Sequence, residues 1–243
     1  PLVLSMLGSG LYSRVNSPPL PTLAEHVKQG RAALLVFDKP GVKGANEDGS
    51  VDFDAEVFAT YTPQDLIDCA EGALSWAIEQ PQVKARGHIV QGHSEGAMVA
   101  ALWSQQHVEG LDRIASVVLS DTPVKGLAAA MAFQGETSVD AQMASIREAA
   151  NKDLRGFLKE GPGMGPATFD AWMERGSMED ALLALVGARV PLLVQHGTGD
   201  ASVPVADVTA WMSELQAPWV SVELFDAGHG GSLSSMTSWS VWV

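Results

Sequence analysis

A serine between two glycines stands where a short apolar run changes into a helix-like stretch. In "GHIVQGHSEGAMVAAL" (87–102), Gly92 lies two positions before Ser94 and Gly96 two positions after it. A serine on a sharp strand-to-helix turn needs a strained backbone, and residues without side chains fit on either side of it. Such a turn lifts the hydroxyl out of the sheet, beside free N–H groups at the start of the helix. The pattern predicts a nucleophilic serine, and the alternative is a glycine turn with a structural role only.

The pentapeptide "GHSEG" (92–96) resembles the nucleophile elbow of the α/β-hydrolase family. In that family an acid and then a histidine follow the serine along the chain. Here "QHGTGDASVP" places Asp200 just past one apolar run, and "LFDAGHGG" places His229 just past the last one. The resemblance implies a catalytic triad of Ser94, Asp200 and His229. His229 would take the hydroxyl proton, because serine is a poor nucleophile near neutral pH, and Asp200 would orient the imidazole.

Other residues of the right types compete for the roles of acid and base. Asp121 follows the apolar run "SVVLS" (116–120) and is the main rival of Asp200. An aspartate in a loop is often only a turn former, and a histidine beside a motif often only packs. We therefore interpret three further residues as structural: His93, His196 and Asp226.

The loop after the first apolar run extends the resemblance. "MLGSGLYSR" (6–14) is similar to the family's oxyanion loop, which often reads His-Gly-Ser-Gly, with Leu7 in the place of the histidine. An oxyanion hole uses backbone N–H groups, so this departure leaves the donors themselves intact. The resemblance implies that the donors are the N–H of Glu95, just after the serine, and that of Ser9 or its neighbour Gly10.

Six short apolar runs recur along the chain, with helix-like stretches between them. Runs rich in Val and Leu and bounded by Gly, Pro or Asp are typical of strands buried on both faces. Their alternation with helices predicts an α/β fold, with a mainly parallel sheet and helices on both faces. The runs are PLVLSML (1–7), AALLVF (32–37), GHIVQG (87–92), IASVVLS (114–120), VPLLVQH (190–196) and WVSVELF (219–225).

Helix signals agree with this alternation. Thr62 offers an N-cap, Pro63 a first-turn proline and Asp65 an acid three residues on, ahead of "LIDCAEGALSWAIEQ". A further helix is predicted over "PVADVTAWMSELQ" (204–216), which Pro204 opens.

The alternation breaks between the runs near 117 and 193. The stretches "AQMASIREAANKDLRGFLK" and "FDAWMERGSMEDALLALVG" are typical of helices, and no strand is predicted there. Many family members carry a helical cap at this point. We therefore predict an α/β-hydrolase core over 1–123 and 189–243, and a helical cap insertion over 124–188. Side chains that could line an acyl pocket are Met131, Phe133, Met164, Phe169, Trp172 and Met173.

The composition argues against several classes of partner. A formal charge of −14 would repel the phosphates of nucleic acids and of anionic membranes. No run reaches the roughly 18 apolar residues of a membrane span. The single cysteine, Cys69, cannot form an intramolecular disulfide, and we assign it no function.

Family members carry two further strands before the one ending at Leu7, so we expect an N-terminally incomplete sequence rather than a minimal fold.

These features together resemble a serine hydrolase of the esterase or lipase type. We expect a carboxylesterase that cleaves small-molecule esters of small to medium apolar acyl groups through an acyl-enzyme intermediate. This chemistry implies neither a metal nor an organic cofactor. Two alternatives stay open: an aminopeptidase-like amide hydrolase, whose relatives have similar elbows, and a catalytically silent ligand-binding relative. The intact triad argues against the silent relative, because a binding protein does not need all three residues.

Overall fold

The strands of the main sheet all run parallel. The computed structural model describes residues 2–16, 27–30, 32–81, 83, 87–108, 114–215 and 217–231. Within these residues, six strands form one sheet in the order β2-β1-β5-β6-β7-β8. The strands are β1 (Leu2–Met6), β2 (Ala33–Val36), β3 (Val42–Ala45), β4 (Val51–Phe53), β5 (His88–His93), β6 (Ile114–Ser120), β7 (Leu192–Gly197) and β8 (Val220–Phe225). The parallel sheet predicted from the six apolar runs is confirmed, with one strand in each run.

Helices connect the strands, as the alternation predicts. They are α1 (Ala55–Thr60), α2 (Pro63–Ile78), α3 (Glu95–His107), α4 (Leu127–Gln134), α5 (Val139–Lys152), α6 (Leu154–Glu160), α7 (Pro166–Arg175), α8 (Glu179–Gly187) and α9 (Val205–Ser213). The capping box of α2 forms: the Thr62 side chain accepts from the Asp65 N–H, and the Asp65 carboxylate accepts from the Thr62 N–H. In the described part of the chain, no helix is long and apolar enough to cross a membrane.

The apolar composition of the strands is explained by burial on both faces of the sheet. Val90 in β5, Leu119 in β6 and Val194 in β7 are completely buried. Successive side chains of a strand point to opposite faces of the sheet, so they pack into two separate apolar clusters. The larger cluster includes the buried side chains of α2, α3 and α9. The smaller cluster, on the opposite face, consists of Val3, Ile89, Val118 and Leu193.

Five helices, α4 to α8, occupy the segment between β6 and β7. The sequence predicts fewer and longer helices here, and both long predictions are divided in the structure. The first is interrupted at Asp153, whose carboxylate caps α6 by accepting from the Gly156 N–H at 3.0 Å. The second is interrupted at Gly176, which has a φ of 71°, a conformation that glycine adopts at little cost. Local capping and one left-handed residue therefore outweigh the helical periodicity.

The loop after β2 contains a short antiparallel hairpin that the sequence analysis did not predict. β3 pairs with β4, and the register shifts between Val42 and Gly44. Phe53 anchors the pair, because its buried ring packs edge-on against Phe58 at a centroid distance of 5.9 Å. Strands of three or four residues are too short for alternation to reveal.

The turn after β5 brings α3 against the sheet at very short range. A Cβ on Gly92 would lie 2.1 Å from the carbonyl oxygen of Gly96. A Cβ on Gly96 would lie 2.2 Å from the carbonyl oxygen of Met6 in β1. Both neighbours are backbone atoms of packed elements, which cannot move aside cheaply. Glycine is required at both positions because any side chain would separate the helix from the sheet.

We expect Gly96→Ala to destabilise the protein by several kcal/mol, because overpacking against backbone exceeds the usual cost of about 1–3 kcal/mol for added methylenes. The matched control is Gly72→Ala in the middle of α2, where a Cβ meets nothing within 4 Å. That change should stabilise the protein by roughly 0.5–1 kcal/mol, since alanine is the better helix former. Urea denaturation of both variants measures the difference, and equal effects would contradict the close approach.

Candidate active site

Ser94 lies directly after β5 in a backbone conformation that residues with side chains rarely adopt. Its φ is 55° and its ψ is −118°, and such conformations cost roughly 1–3 kcal/mol. The Ser94 N–H donates to the carbonyl of Ser120 in β6 at 2.9 Å. The close approach of α3 to the sheet leaves the turn no room to relax. The surrounding fold therefore maintains the strain, as expected for an elbow that presents its side chain to a cleft.

Three side chains from three loops meet at this turn. His229 Nε2 lies 3.1 Å from Ser94 Oγ, and His229 Nδ1 lies 2.8 Å from Asp200 Oδ2. Asp200 follows β7 and His229 follows β8, and the carboxyl ends of parallel strands meet at one edge of the sheet. The structure thus brings together the three residues that the resemblance implies as a triad. Their catalytic roles stay a prediction.

The charges around His229 favour its protonated form. Burial alone would lower the pKa of His229, but the hydrogen bond and charge of Asp200, with the charge of Asp121, raise it above its ordinary value. Burial would raise the pKa of Asp200, but hydrogen bonds from His229 and from the N–H groups of Val203 and Ser202 lower it. Asp200 therefore stays ionised and can stabilise the imidazolium that proton transfer to His229 would create.

Asp121, the rival acid, is bound to backbone groups instead of His229 Nδ1. Its side chain is completely buried, with Oδ1 accepting from the Gly197 N–H at 3.0 Å and Oδ2 from the Gly230 N–H at 2.8 Å. Gly197 ends β7, just before the loop of the predicted acid, and Gly230 directly follows the predicted base. One carboxylate therefore joins the two loops that carry Asp200 and His229. No sequence pattern around Asp121 predicts this anchoring role.

The histidines interpreted as structural have partners of their own. His93 Nε2 lies 3.4 Å from Asp121 Oδ2, and the His93 ring stacks obliquely on that of His229 at 5.0 Å. Burial would raise the pKa of Asp121, but the contact with His93 and the two backbone N–H groups lower it to about 2. His196 is buried, with Nε2 3.1 Å from the Val203 carbonyl oxygen. These contacts agree with packing roles for both histidines.

The two backbone donors that the resemblance implies border one cavity beside Ser94. Both Ser9 and Glu95 line it. Gly10, the alternative to Ser9, donates its N–H to the carbonyl of Gly163 at 2.9 Å. Because that N–H already has an acceptor, Ser9 is the better candidate in this loop for binding an oxyanion.

The cavity has a volume of about 650 Å³, which is within the usual range for small-molecule sites. One part of its lining is apolar and comes from Met98, Leu127, Met131, Ile146, Met164 and Phe169. Another part carries neutral polar groups from Gln134, Thr137, Gln142 and Ser145. Among the described lining residues there is no Lys or Arg, so the cavity suits an uncharged ligand with both apolar and polar groups better than an anion.

The structure divides the six residues predicted to line an acyl pocket. Met131, Met164 and Phe169 do line the cavity. Phe133 is instead 50% exposed, and Met173 packs at the edge of the larger apolar cluster. Trp172 is buried, and its indole N–H is directed to Glu95. Helical spacing alone does not distinguish these environments, because all six positions satisfy the same apolar pattern.

The Glu95 side chain is a feature that the sequence analysis missed. Its carboxylate is 1% exposed, and it accepts from Lys39 Nζ at 2.7 Å and from Trp172 Nε1 at 3.1 Å. The Tyr61 hydroxyl lies 3.4 Å from both carboxylate oxygens. Burial and the charge of Glu95 raise the pKa of Tyr61 well above its ordinary value, so the phenol stays a donor. Breaking such a buried ion pair typically costs about 3–5 kcal/mol. The available signal was Lys39, a basic residue two positions after the apolar run "AALLVF".

Among the residues that the structure describes, two groups of side chains have the spacing of metal ligands. They are His93, Asp121 and His229, and Asp121, His196 and Asp200. The carboxylates of both groups already accept hydrogen bonds from backbone N–H groups and from His229. Protein donors therefore account for the clustering, and a cation would have to displace them.

A parallel sheet with a strained serine turn at the carboxyl end of a central strand is typical of the α/β-hydrolase fold. The chain belongs to the alpha/beta hydrolase family, whose sequence model matches residues 7–238. Among curated protein sequences, none is significantly similar to this chain.

Solved structures with the same fold include lipases and esterases. The monoacylglycerol lipase of Paleococcus ferrophilus is 15% identical, with a TM-score of 0.62 over 94% of this chain and 85% of that one. Est1E of Butyrivibrio proteoclasticus, solved with ferulic acid, is 14% identical, with a TM-score of 0.64 over 98% and 85% of the two chains. The esterase Pf2001 of Pyrococcus furiosus is 18% identical, with a TM-score of 0.59 over 99% and 79%. At these identities the likeness concerns the fold.

We expect Asp121→Asn to destabilise the protein, because an amide group would turn an N–H donor towards one of the two backbone N–H groups. The folded-state pKa of about 2 lies below the ordinary 3.8, a shift worth about 2 kcal/mol. A carboxyl group whose pKa is lower in the folded than in the unfolded state stabilises the fold at pH values above the unfolded-state pKa. This contribution disappears as the pH falls from about 4 towards 2.

The difference in unfolding free energy between wild type and Asp121→Asn should therefore shrink on acidification, measured by urea denaturation from pH 7 to pH 3. Asp226→Asn is the control, because Asp226 is an exposed aspartate between β8 and His229. It should change stability by less than about 0.5 kcal/mol at every pH. A constant difference for Asp121→Asn would contradict the anchoring role.

Proposed function

We propose that this protein is a serine hydrolase, a carboxylesterase acting on small-molecule esters with small to medium apolar acyl groups. The observation that carries the proposal is the hydrogen-bonded series Asp200–His229–Ser94 beside a cavity lined by apolar and neutral polar side chains. The lipases and esterases among structures of the same fold favour an ester over other acyl compounds.

In the proposed mechanism, Ser94 Oγ attacks the ester carbonyl carbon while its proton passes to His229 Nε2. The carbonyl oxygen becomes an oxyanion, which the N–H groups of Glu95 and Ser9 stabilise. The intermediate then collapses, the bond to the leaving oxygen breaks, and His229 returns the proton to the departing alcohol. Water, deprotonated by His229, attacks the acyl-enzyme in the same way and releases the acid. Asp200 holds the imidazole and balances its positive charge throughout.

The proposal extends to the organisation of the chain. Residues 1–123 and 189–243 form the α/β-hydrolase core, and residues 124–188 form a helical cap over the site. Support comes from the cavity lining, because Leu127, Met131, Ile146, Met164 and Phe169 of this segment enclose it together with Ser94 and His229. The cap then selects the acyl group, while the loops of the core carry the chemistry.

Two other activities are distinguishable from this one. An aminopeptidase-like amide hydrolase would use the same triad, but a free amino terminus of a substrate is best bound by an acidic group. In the described lining the only carboxylate is that of Glu95, which is paired with Lys39. A silent ligand-binding relative would not need a strained serine within hydrogen-bonding distance of a histidine.

We expect Ser94→Ala and His229→Ala to lose nearly all activity, with kcat approaching a millionfold reduction, because triad members act as a unit. Asp200→Asn should retain more activity, with a loss of about ten-thousandfold, since the imidazole stays in place in the wrong tautomer. The measurement is steady-state hydrolysis of p-nitrophenyl esters of increasing acyl length beside aminoacyl anilides.

Ser104→Ala is the matched control for the loss of a hydroxyl. Ser104 is a buried serine in α3, the helix that begins right after Ser94, and its Oγ has no hydrogen-bond partner among the described residues. This variant should keep wild-type kcat. A preference for anilides would overturn the ester assignment. Retention of more than a few per cent of kcat in a folded Ser94→Ala would overturn the nucleophile assignment.

We expect Met164→Ala to shift the preferred acyl length of the ester substrate towards longer chains, because the shorter side chain enlarges the cavity. Met143→Ala is the control, since Met143 is equally buried in the same helical segment but does not line the cavity. Both changes should cost roughly 2–5 kcal/mol of stability. Only Met164→Ala should change the ratio of kcat/KM between long and short p-nitrophenyl esters, and the same ratio in both variants would contradict the cap as the acyl site.

A further inference from the structure

The carboxylate of Glu95 is held from several separate parts of the fold. Oε2 accepts from Lys39, which follows β2. Oε1 accepts from the indole N–H of Trp172 in α7, within the helical segment. Tyr61, which ends α1, lies within hydrogen-bonding distance of both oxygens. Since both oxygens accept hydrogen bonds from donors on separate elements, these contacts restrain the position of the carboxylate.

In the proposed mechanism, the backbone N–H of Glu95 donates a hydrogen bond to the oxyanion. The N–H of Glu95 belongs to the peptide plane whose orientation depends on the ψ of Ser94, which is −118°. With a φ of 55° this conformation is sparsely populated. The packing of α3 on the sheet holds the turn as a whole, and a restraint on Glu95 acts in addition on the peptide that joins it to Ser94. A side chain fixed at its far end restrains the backbone to which it is attached. The buried carboxylate therefore acts on the orientation of the N–H.

The loop that carries Ser9, the second proposed oxyanion donor, is also bonded to the helical segment. Gly10, next to Ser9, donates its N–H to the Gly163 carbonyl at 2.9 Å. The two chains are so close that a Cβ on Gly163 would lie 2.3 Å from the Gly10 Cα. The segment between β6 and β7 thus contacts the oxyanion loop on one side and the Glu95 side chain on the other.

We propose that Lys39 and Trp172 are positioning residues, which hold the Glu95 carboxylate and thereby fix the Glu95 N–H for the oxyanion. The helical segment then contributes to the chemical step itself, in addition to enclosing the acyl group. This inference rests on the proposed function, since it concerns the oxyanion of ester hydrolysis. Neither residue touches the reacting atoms, and both act through Glu95.

The test is Trp172→Phe, which removes the indole N–H and keeps an aromatic ring in the cluster. Trp211→Phe is the matched control, because Trp211 is equally buried and its indole N–H has no hydrogen-bond partner among the described residues. Trp172→Phe should lower kcat about tenfold with KM nearly unchanged, a smaller effect than the 10²–10³ lost with a whole oxyanion donor. Trp211→Phe should leave both constants close to wild type.

A second readout separates positioning from general damage. An alkyl boronic acid forms a tetrahedral adduct with an active-site serine and places an oxygen in the oxyanion hole, whereas the product carboxylic acid forms no such adduct. Trp172→Phe should raise the Ki of the boronic acid about tenfold and leave that of the product acid unchanged. If Trp172→Phe does not fold, Lys39→Met takes its place, with Lys125→Met at an exposed ion pair as control.

The possible outcomes separate the two proposals. An active wild type in which Trp172→Phe matches Trp211→Phe in kcat and in boronic-acid Ki overturns this inference alone. A rise in KM with unchanged kcat also overturns it, because Trp172 would then contribute to substrate binding. A folded wild type that hydrolyses no ester and binds no boronic acid overturns the proposed function, and this inference with it.

Discussion

The structure depends on one steric constraint, the contact of α3 with the edge of the sheet where β5 ends. Gly92 and Gly96 allow backbone atoms to approach to distances that no side chain would permit. This contact forces Ser94 into the left-handed region of φ, and the hydrogen bond to Ser120 keeps it there. A cost of roughly 1–3 kcal/mol is small beside the apolar burial of a central sheet. The fold can therefore maintain a strained serine that an isolated turn could not.

The other groups of the candidate site reach Ser94 because neighbouring strands end at the same edge. β6, β7 and β8 are adjacent, and the loops after them carry Asp121, Asp200 and His229. Asp121 connects the latter two loops through Gly197 and Gly230. Two aspartates in similar sequence contexts therefore have different environments. One accepts from the imidazole of His229 and neighbouring N–H groups, and the other anchors the two loops, contacts His93 and adds negative charge near the His229 ring.

The helical segment between β6 and β7 is integrated with the core. It encloses the cavity through apolar side chains, and it reaches the core backbone and side chains through polar contacts. Trp172 donates to Glu95, Gly163 accepts from Gly10, and Thr168 donates to the Tyr61 carbonyl at 2.6 Å. A buried carboxylate needs such donors, because an unpaired charge in the interior is strongly unfavourable. The lining of the cavity and the geometry around Ser94 are consequently linked through the same few hydrogen bonds.

The sequence by itself determined the parallel sheet, the elbow and the order of the triad candidates. Apolar runs, glycine spacing and positions at strand ends are local patterns, so they can be recognised in the sequence alone. The resemblance favoured Asp200 over Asp121 and left Ser9 and Gly10 open. Only the tertiary structure shows which carboxylate contacts His229 and which N–H is already bonded, because hydrogen-bond partners come from residues distant in sequence. The same holds for the Glu95–Lys39 pair and for the pocket, where three of six apolar candidates line the cavity. Helix breaks at Asp153 and Gly176 also escaped prediction, since a cap and a single left-handed residue override periodicity.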